Sequence, residues 1–159
     1  MNQKINLEGY VDSDWAGNAI DRKSTLGCCF SMGSGVISWF SRKKSCVALS
    51  TAEAEYVAAY SASCEAVWLR KLLSDLFDLQ LDATCIHCDN QSCVKLSENP
   101  VFHDKSNHIE IKYHYIRDMV QRGAVKLQYV ATDEQIVDVL MKPLARVKFE
   151  YFREKLGVL

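Results

Sequence analysis

Three short stretches place carboxylates where hard-metal chemistry could use them: "GYVDSDWAG" with Asp12 and Asp14, "LSTAEAEYVAA" with Glu53 and Glu55, and "TCIHCDNQ" with Asp89. Clustered carboxylate oxygens bind Mg²⁺ or Mn²⁺, and such ions activate water for attack on phosphate esters. Each acid also has an ordinary structural explanation, so its local pattern matters.

In the first stretch, strand alternation puts Tyr10, Asp12 and Asp14 on one face and Gly9, Val11 and Ser13 on the other. Asp14 leads toward Gly17, where Asp commonly bonds its own backbone in a turn. Asp12 is therefore the candidate ligand, and Asp14 a turn residue or a group behind the site. In the second stretch, Glu53 and Glu55 lie about 200° apart on a helix and cannot serve one site equally. Ser50 with Glu53 forms a capping box, which gives Glu53 a structural task. Glu55 shares a stripe with Ala59, Ala62, Ala66, Leu69 and Leu73, where a carboxylate is costly unless paired or metal-bound. Because Val57, Tyr60, Cys64 and Trp68 make the opposite face apolar too, a helix buried on two sides is expected, and the stripe supports Glu55 without deciding for it. Asp89 ends a short apolar strand, at the carboxyl edge where α/β sheets open a crevice. Asn90 is equally able to cap the helix that follows, which frees Asp89 from that duty.

A fourth stretch, "TDEQIVDVLMKPL", reads differently. Thr132 with Gln135 makes another capping box, and Asp133 and Glu134 complement the dipole of a helix limited by Pro143. Periodicity places Asp138 away from the stripe of Ile136, Leu140 and Leu144, which predicts an exposed surface acid.

Other chemistries find less support. Cys85 and Cys88 with His87 mimic zinc-ligand spacing, but strand alternation sends the two thiols to opposite faces and no second pair completes the set. His103, His108 and His114 are scattered around a helix, no GxSxG elbow marks a serine nucleophile, and no cysteine has a specified histidine partner.

The elements that must position the acids follow from period and punctuation. Residues 5–14, 25–33 and 35–44 read as three strands of an antiparallel meander. From Ser50 the chain runs to Phe77 without Gly or Pro, a long central helix. Residues 83–89 form a fourth strand, 90–99 a short helix ended by Pro100, 106–123 a helix closed by Gly123 and 124–130 a fifth strand. A helix over 132–144 and a terminal helix over 145–157 follow. The expected class is an α/β layer with a mixed sheet.

With 159 residues, 48% of them hydrophobic and 25% charged, the chain is sized for a single domain over 1–159. Its abrupt ends suggest a piece of a longer chain. The net charge of −1 provides no global positive field, so a nucleic-acid partner would need local patches such as Arg42-Lys43-Lys44 or Lys142, Arg146, Lys148 and Arg153. Seven cysteines, mostly in apolar contexts and without a secretory leader, suggest an intracellular, reducing compartment. No apolar run is long enough for a membrane span.

The blocks "GYVDSDWAGNAIDRKSTLG", "ISWFSRKKSCVALSTAEAEYVAA", "WLRKLL", "CDNQSCVKLSENPVFHDKSNHIEIKYHYIRD" and "DEQIVDVLMKPL" closely resemble the ribonuclease H domain of copia-type LTR retrotransposon Pol polyproteins, especially those of plants. The resemblance covers nearly the whole chain in order. It implies a ribonuclease H-like fold, with a five-stranded mixed sheet in order 3-2-1-4-5 flanked by helices. It also implies four converging acids, Asp12, Glu55, Asp89 and Asp138, as catalytic and metal-binding residues; the assignment of Asp138 rests on resemblance alone.

The implied activity is a metal-dependent endonuclease cutting the RNA strand of RNA/DNA hybrids during reverse transcription. Two Mg²⁺ or Mn²⁺ ions about 4 Å apart would activate the water and stabilise the leaving oxygen. Expected partners are the hybrid and the reverse-transcriptase polymerase domain of the parent polyprotein, with no membrane; a cytoplasmic virus-like particle is the expected location if the element is active. Arg22, Ser24, Trp39, Lys43, Asn90, Gln91, Lys105 and His108 are the implied phosphate, sugar or stacking contacts, Trp39 being equally compatible with a core position.

The chain departs from the family at Val137 and Met141, where Ala and Thr are usual, and it joins its fifth strand to the last acidic segment without the His-bearing loop of cellular ribonucleases H. His108 is the first candidate to substitute. Two competing functions remain: a decayed or domesticated module that binds hybrid or a reverse-transcriptase partner without cutting, and another nuclease of the superfamily, such as an integrase or resolvase.

Overall fold

A computed structural model describes residues 5–15, 23–44, 48, 50–99 and 107–158, with the side chains of 107–109 excepted. Strands β1 (Leu7–Asp14), β2 (Thr25–Met32) and β3 (Gly35–Lys43) precede helix α1 (Thr51–Phe77). Strand β4 (Thr84–Cys88), helices α2 (Gln91–Glu98) and α3 (Asn107–Gln121) and strand β5 (Val125–Tyr129) follow. Two short 3₁₀ helices, Thr132–Glu134 and Ile136–Leu140, lead to α4 (Arg146–Lys155).

The strands form one five-stranded sheet in order β3-β2-β1-β4-β5. Pairing is antiparallel in the meander and parallel between β1 and β4 and between β4 and β5. The tight β2–β3 turn holds Gly33 at φ 65, where a side chain would be strained. The expected sheet and its order are thus present.

Helix α1 starts as its sequence predicts: the Glu53 backbone N–H donates to Ser50 Oγ at 3.1 Å. Its buried face carries Ala54, Ala58, Ala59, Ala62 and Ala66, which let the helix lie close to β1, β2 and β4. That face joins Val11, Cys28, Phe30, Ile86 and Cys88 in the larger core, and α2 and α3 cover it further. The opposite side of α1 is less buried than expected: Val57, Tyr60 and Cys64 are half-buried and Trp68 is exposed. A partial cover by α3, with Tyr60 edge-on to Tyr115 at 5.3 Å, accounts for this.

The other face of the sheet is covered by the 3₁₀ segment and α4 around a smaller core of Cys29, Ile136, Val137, Phe152 and Leu156. Here the structure corrects an expectation, because residues 132–144 are not a helix. Gln135, extended at φ −73 and ψ 95, interrupts the segment and sends its side chain inward, where Nε2 donates to the Val11 carbonyl at 2.9 Å. Its burial is complete. The predicted Thr132–Gln135 capping box is therefore absent; the first 3₁₀ helix has no side-chain cap.

Val137 and Met141, the two departures, both fill this core. Met141 lies over Gly27, where even a Cβ would come within 2.5 Å of its Cγ, so the glycine's lack of a side chain makes room for the methionine. Among the described residues, Cys28, Cys29, Cys88 and Cys93 are buried and unbridged, and no helix is long and apolar enough to cross a membrane.

Candidate functional site

The last pair in the parallel β1–β4 ladder is Tyr10 opposite His87. Asp12 and Asp89 each lie two residues beyond, so the register brings both to the same carboxyl edge of the sheet. Glu55 comes from the second turn of α1 on one face, and Asp138 from the 3₁₀ segment on the other.

Ligand atoms of Asp12, Glu55 and Asp89 all lie within 4.8 Å of one another. The Ser13 backbone N–H donates to Asp12 Oδ1 at 2.8 Å and to Glu55 Oε1 at 3.3 Å, which holds both carboxyls. Glu55 is only 4% exposed, and its Oε2 is buried without a hydrogen-bond partner. Burial, aided by the Asp12 and Asp89 charges, pushes the Glu55 carboxyl up to about 9. Burial also raises Asp12 to about 6, with the Asp89 charge and a hydrogen bond to Asp138 adding to it. Asp89, half-buried, is raised by burial against the opposing Thr132 hydroxyl, which donates to Oδ2 at 3.3 Å.

An orphaned carboxylate oxygen beside two further acids is what a hard divalent cation satisfies, and the all-oxygen donor set fits Mg²⁺ or Mn²⁺. Among the described residues, Asp12, Glu55 and Asp89 form a set able to hold such an ion.

Asp138 is 2% exposed, which corrects the expectation of a surface acid. The segment is 3₁₀ and interrupted at Gln135, so helical period assigns its faces wrongly. Asp138 Oδ1 lies 3.0 Å from Lys142 Nζ, which is also 4.0 Å from Asp12 Oδ2. Lys142, in the basic run with Arg146, Lys148 and Arg153, turns onto the acids rather than out to a substrate. Arg146 pairs instead with Glu150 and Lys148 with Asp133. The signal for Lys142 was its spacing, one turn after Asp138. Lys44 is a second cation near the site: its Nζ donates to the Ala54 carbonyl at 2.7 Å, and burial lowers it to about 8 against the Glu55 charge.

The implied substrate contacts divide. Lys43 is exposed, and the register aligns it with Thr25 and Asp14 at the same edge as the acids. Gln91 is exposed at the start of α2. Trp39 is 62% exposed on the edge strand, so it is not core. Ser24 is fully buried with an unpartnered hydroxyl, which removes it from a substrate's reach. Asn90 Oδ1 accepts from the Cys93 backbone N–H at 3.0 Å, the cap that frees Asp89. Arg22 and Lys105 lie outside the described residues, and His108 occupies the first turn of α3 with its side chain undescribed. Cys85 and Cys88 part as strand alternation predicts: Cys88 joins the α1-side core, while Cys85 Sγ donates to Gln128 Oε1 at 3.1 Å.

No family profile matches the chain. It is 41% identical over 152 residues, 96% of its length, to a retrovirus-related Pol polyprotein from transposon TNT 1-94 of Nicotiana tabacum. It is 42% identical over 154 residues, 97% of its length, to that of transposon RE1 of Arabidopsis thaliana. The chain spans about a tenth of each relative, 11% and 10% respectively. An LC11 RNase H1 solved with RNA/DNA hybrid matches its fold with a TM-score of 0.57 at 13% identity, covering 82% of this chain and 88% of that one. The prototype foamy virus protease-reverse transcriptase matches at 0.54 and 12% identity, covering 98% of this chain and 21% of that one. The chain therefore belongs with the plant retrovirus-related transposon Pol polyproteins, matching a segment of them, and has the ribonuclease H fold.

Proposed function

We propose that the chain is the ribonuclease H unit of a transposon Pol polyprotein, cutting the RNA strand of RNA/DNA hybrids with Mg²⁺ or Mn²⁺ during reverse transcription. The observation that carries this is the triad of buried Asp12 and Glu55 with half-buried Asp89, and its Glu55 oxygen without a hydrogen bond, on a ribonuclease H fold. Support for the substrate comes from the hybrid bound by the LC11 enzyme, and for a polymerase partner from the foamy virus protease-reverse transcriptase.

Asp12, Glu55 and Asp89 provide the ligand oxygens, and Asp138 extends the acidic set from the opposite face. Divalent ions held there supply charge neutralisation and activation of water for in-line displacement at phosphorus. The Ser13 N–H keeps two carboxyls oriented, and the Thr132 hydroxyl steadies the third. Lys43 stands at the same edge to meet substrate phosphate, and Gln91 beside Asp89 to meet the sugar, where the 2′-hydroxyl distinguishes RNA from DNA.

The test is cleavage of a labelled RNA/DNA hybrid by the wild type and Asp89→Asn with each ion, beside duplex and branched DNA controls. Hybrid cleavage by the wild type is expected, with a loss above about 100-fold in the variant, since even partners behind metal ligands cost 10–100-fold. Equal rates in both proteins sink the catalytic claim. Hybrid binding without cutting identifies a decayed module, and cutting of DNA alone another nuclease of the superfamily.

A further inference from the structure

Lys142 is a charged group beside the acids to which this reaction gives no task. Its ammonium stands 3.0 Å from Asp138 Oδ1 and 4.0 Å from Asp12 Oδ2, between the carboxyl of the 3₁₀ segment and that of β1. The acids are 2% and 8% exposed at their side chains, whereas Lys142 is 42% exposed, so its stem has a way out to solvent. Both Met141 N and Lys142 N donate to the Asp138 carbonyl at 3.1 Å, and this backbone turn sets the acid and the ammonium side by side. Pro143, whose φ is restricted, follows at once. Glu55 Oε2 and Asp138 Oδ1 are both buried without a hydrogen bond, and the ammonium faces the second of them as an ion pair.

We propose that Lys142 is a built-in counter-cation that divides the acidic site into two unequal ion positions. One, at Asp12, Glu55 and Asp89, is open to a divalent ion. The other, at Asp12 and Asp138, admits an ion only when Lys142 leaves. This assignment rests on the metal-dependent reading of the site and deepens it.

The physical case is competition. Two close carboxylates with little exposure repel unless a cation lies between them, and the ammonium meets that need in the ion-free chain. An entering dication would meet the ammonium's repulsion, so the two exclude each other. A scissile phosphate offers the displaced ammonium a new anion, which couples loading of the second position to arrival of substrate. Lys142 is thus a positioning residue acting through Asp12 and Asp138.

The experiment is calorimetric titration of the full chain with MgCl₂ and with MnCl₂, without substrate, for wild type, Lys142→Met and Lys142→Arg. The wild type is expected to bind one ion per chain well and a second much more weakly. In Lys142→Met the second ion binds at least about tenfold more tightly, the scale of releasing a partly buried ion pair. Its melting temperature is lower than wild type in chelator and recovers with metal, while Lys142→Arg keeps the wild-type pattern. Unchanged stoichiometry and affinity in Lys142→Met overturn the proposal, as does wild-type binding of two ions with equal affinity. Failure of the wild type to bind any divalent ion overturns the metal-dependent reading as well.

Should Lys142→Met not fold, the wild-type Lys142 Cε resonance, assigned by its loss in Lys142→Arg, is followed during the titration. A shift that tracks only the second binding event is expected; a shift with the first event, or none, overturns the proposal.

Discussion

On one face of the sheet, α1 lays a row of alanines against β1 and β4 and delivers Glu55 from a regular, capped helix. On the other, a 3₁₀ segment broken at Gln135 delivers Asp138, anchored by single large side chains, Val137 and Phe152 among them. Small residues in series give close approach along a whole helix, and no one of them is indispensable. A short irregular segment has no such redundancy, so its position depends on a few deep contacts and on the Gln135 bond to Val11. The two faces also differ in charge. Each side leaves one buried carboxylate oxygen without a hydrogen bond, Glu55 Oε2 and Asp138 Oδ1, but the 3₁₀ side sets the Lys142 ammonium 3.0 Å from its own.

The largest effect that tests this contrast is Phe152→Ala. Phe152 is fully buried and belongs to a core of few members, so little surrounding structure can collapse into the cavity. A loss of about 3–5 kcal/mol is expected by chemical denaturation, with Asp138 released as its support loosens. A loss under about 1 kcal/mol, within the range of ordinary surface changes and mild repacking, would mean that the smaller core does not hold the segment.

The same contrast explains what the sequence made legible. Asp12, Glu55 and Asp89 each sit in an element with a clear period or boundary, and strand alternation, the capping box and the Asn90 cap each removed a competing duty from the acid or its neighbour. Their convergence then follows from the β1–β4 register. Asp138 was visible only through family resemblance, because period presupposes a helix and Gln135 spends its side chain on a partner 124 residues away in the chain. Long-range hydrogen bonds of that kind leave no local mark. Ser24 is hidden for a related reason: nothing in "DRKST" tells that its hydroxyl is buried.

A smaller effect concerns charge at the unpartnered acid. Glu55 is raised to about 9 by burial first and then by the Asp12 and Asp89 charges, far above its ordinary value. An acid whose value is higher folded than unfolded keeps its proton in the folded chain after the unfolded chain has lost it. The folded state then binds more protons, and stability falls as pH rises above the ordinary carboxylate range. In chelator, melting temperature should therefore decline between about pH 5 and 8, the upper limit being set by Lys44, whose own release near 8 begins to act in the opposite sense. Glu55→Gln should remove most of the decline, and Mg²⁺ should flatten the wild-type profile. A wild-type profile in chelator that is already flat would show that Glu55 is not held protonated by its surroundings.

The smallest effects come from two short polar residues beside Asp89 with opposite duties. Asn90 caps α2 on the α1 side through the Cys93 N–H, while Thr132, on the 3₁₀ side, donates to Asp89 Oδ2. Losing a cap removes a helix-end hydrogen bond, so Asn90→Ala should cost about 1 kcal/mol of stability and leave the specific rate of the folded fraction nearly unchanged. Thr132→Val keeps the shape of the side chain and deletes only an exposed bond to the acid. Stability should move by less than about 0.5 kcal/mol, as for most surface substitutions. The cleavage rate should fall by about tenfold, the low end of what partners behind a metal ligand contribute. Denaturation midpoints and single-turnover rates on a hybrid separate the two. The reverse pattern, with Asn90→Ala slowing cleavage and Thr132→Val leaving it untouched, would move Asn90 from the helix cap to the substrate and remove Thr132 from the site.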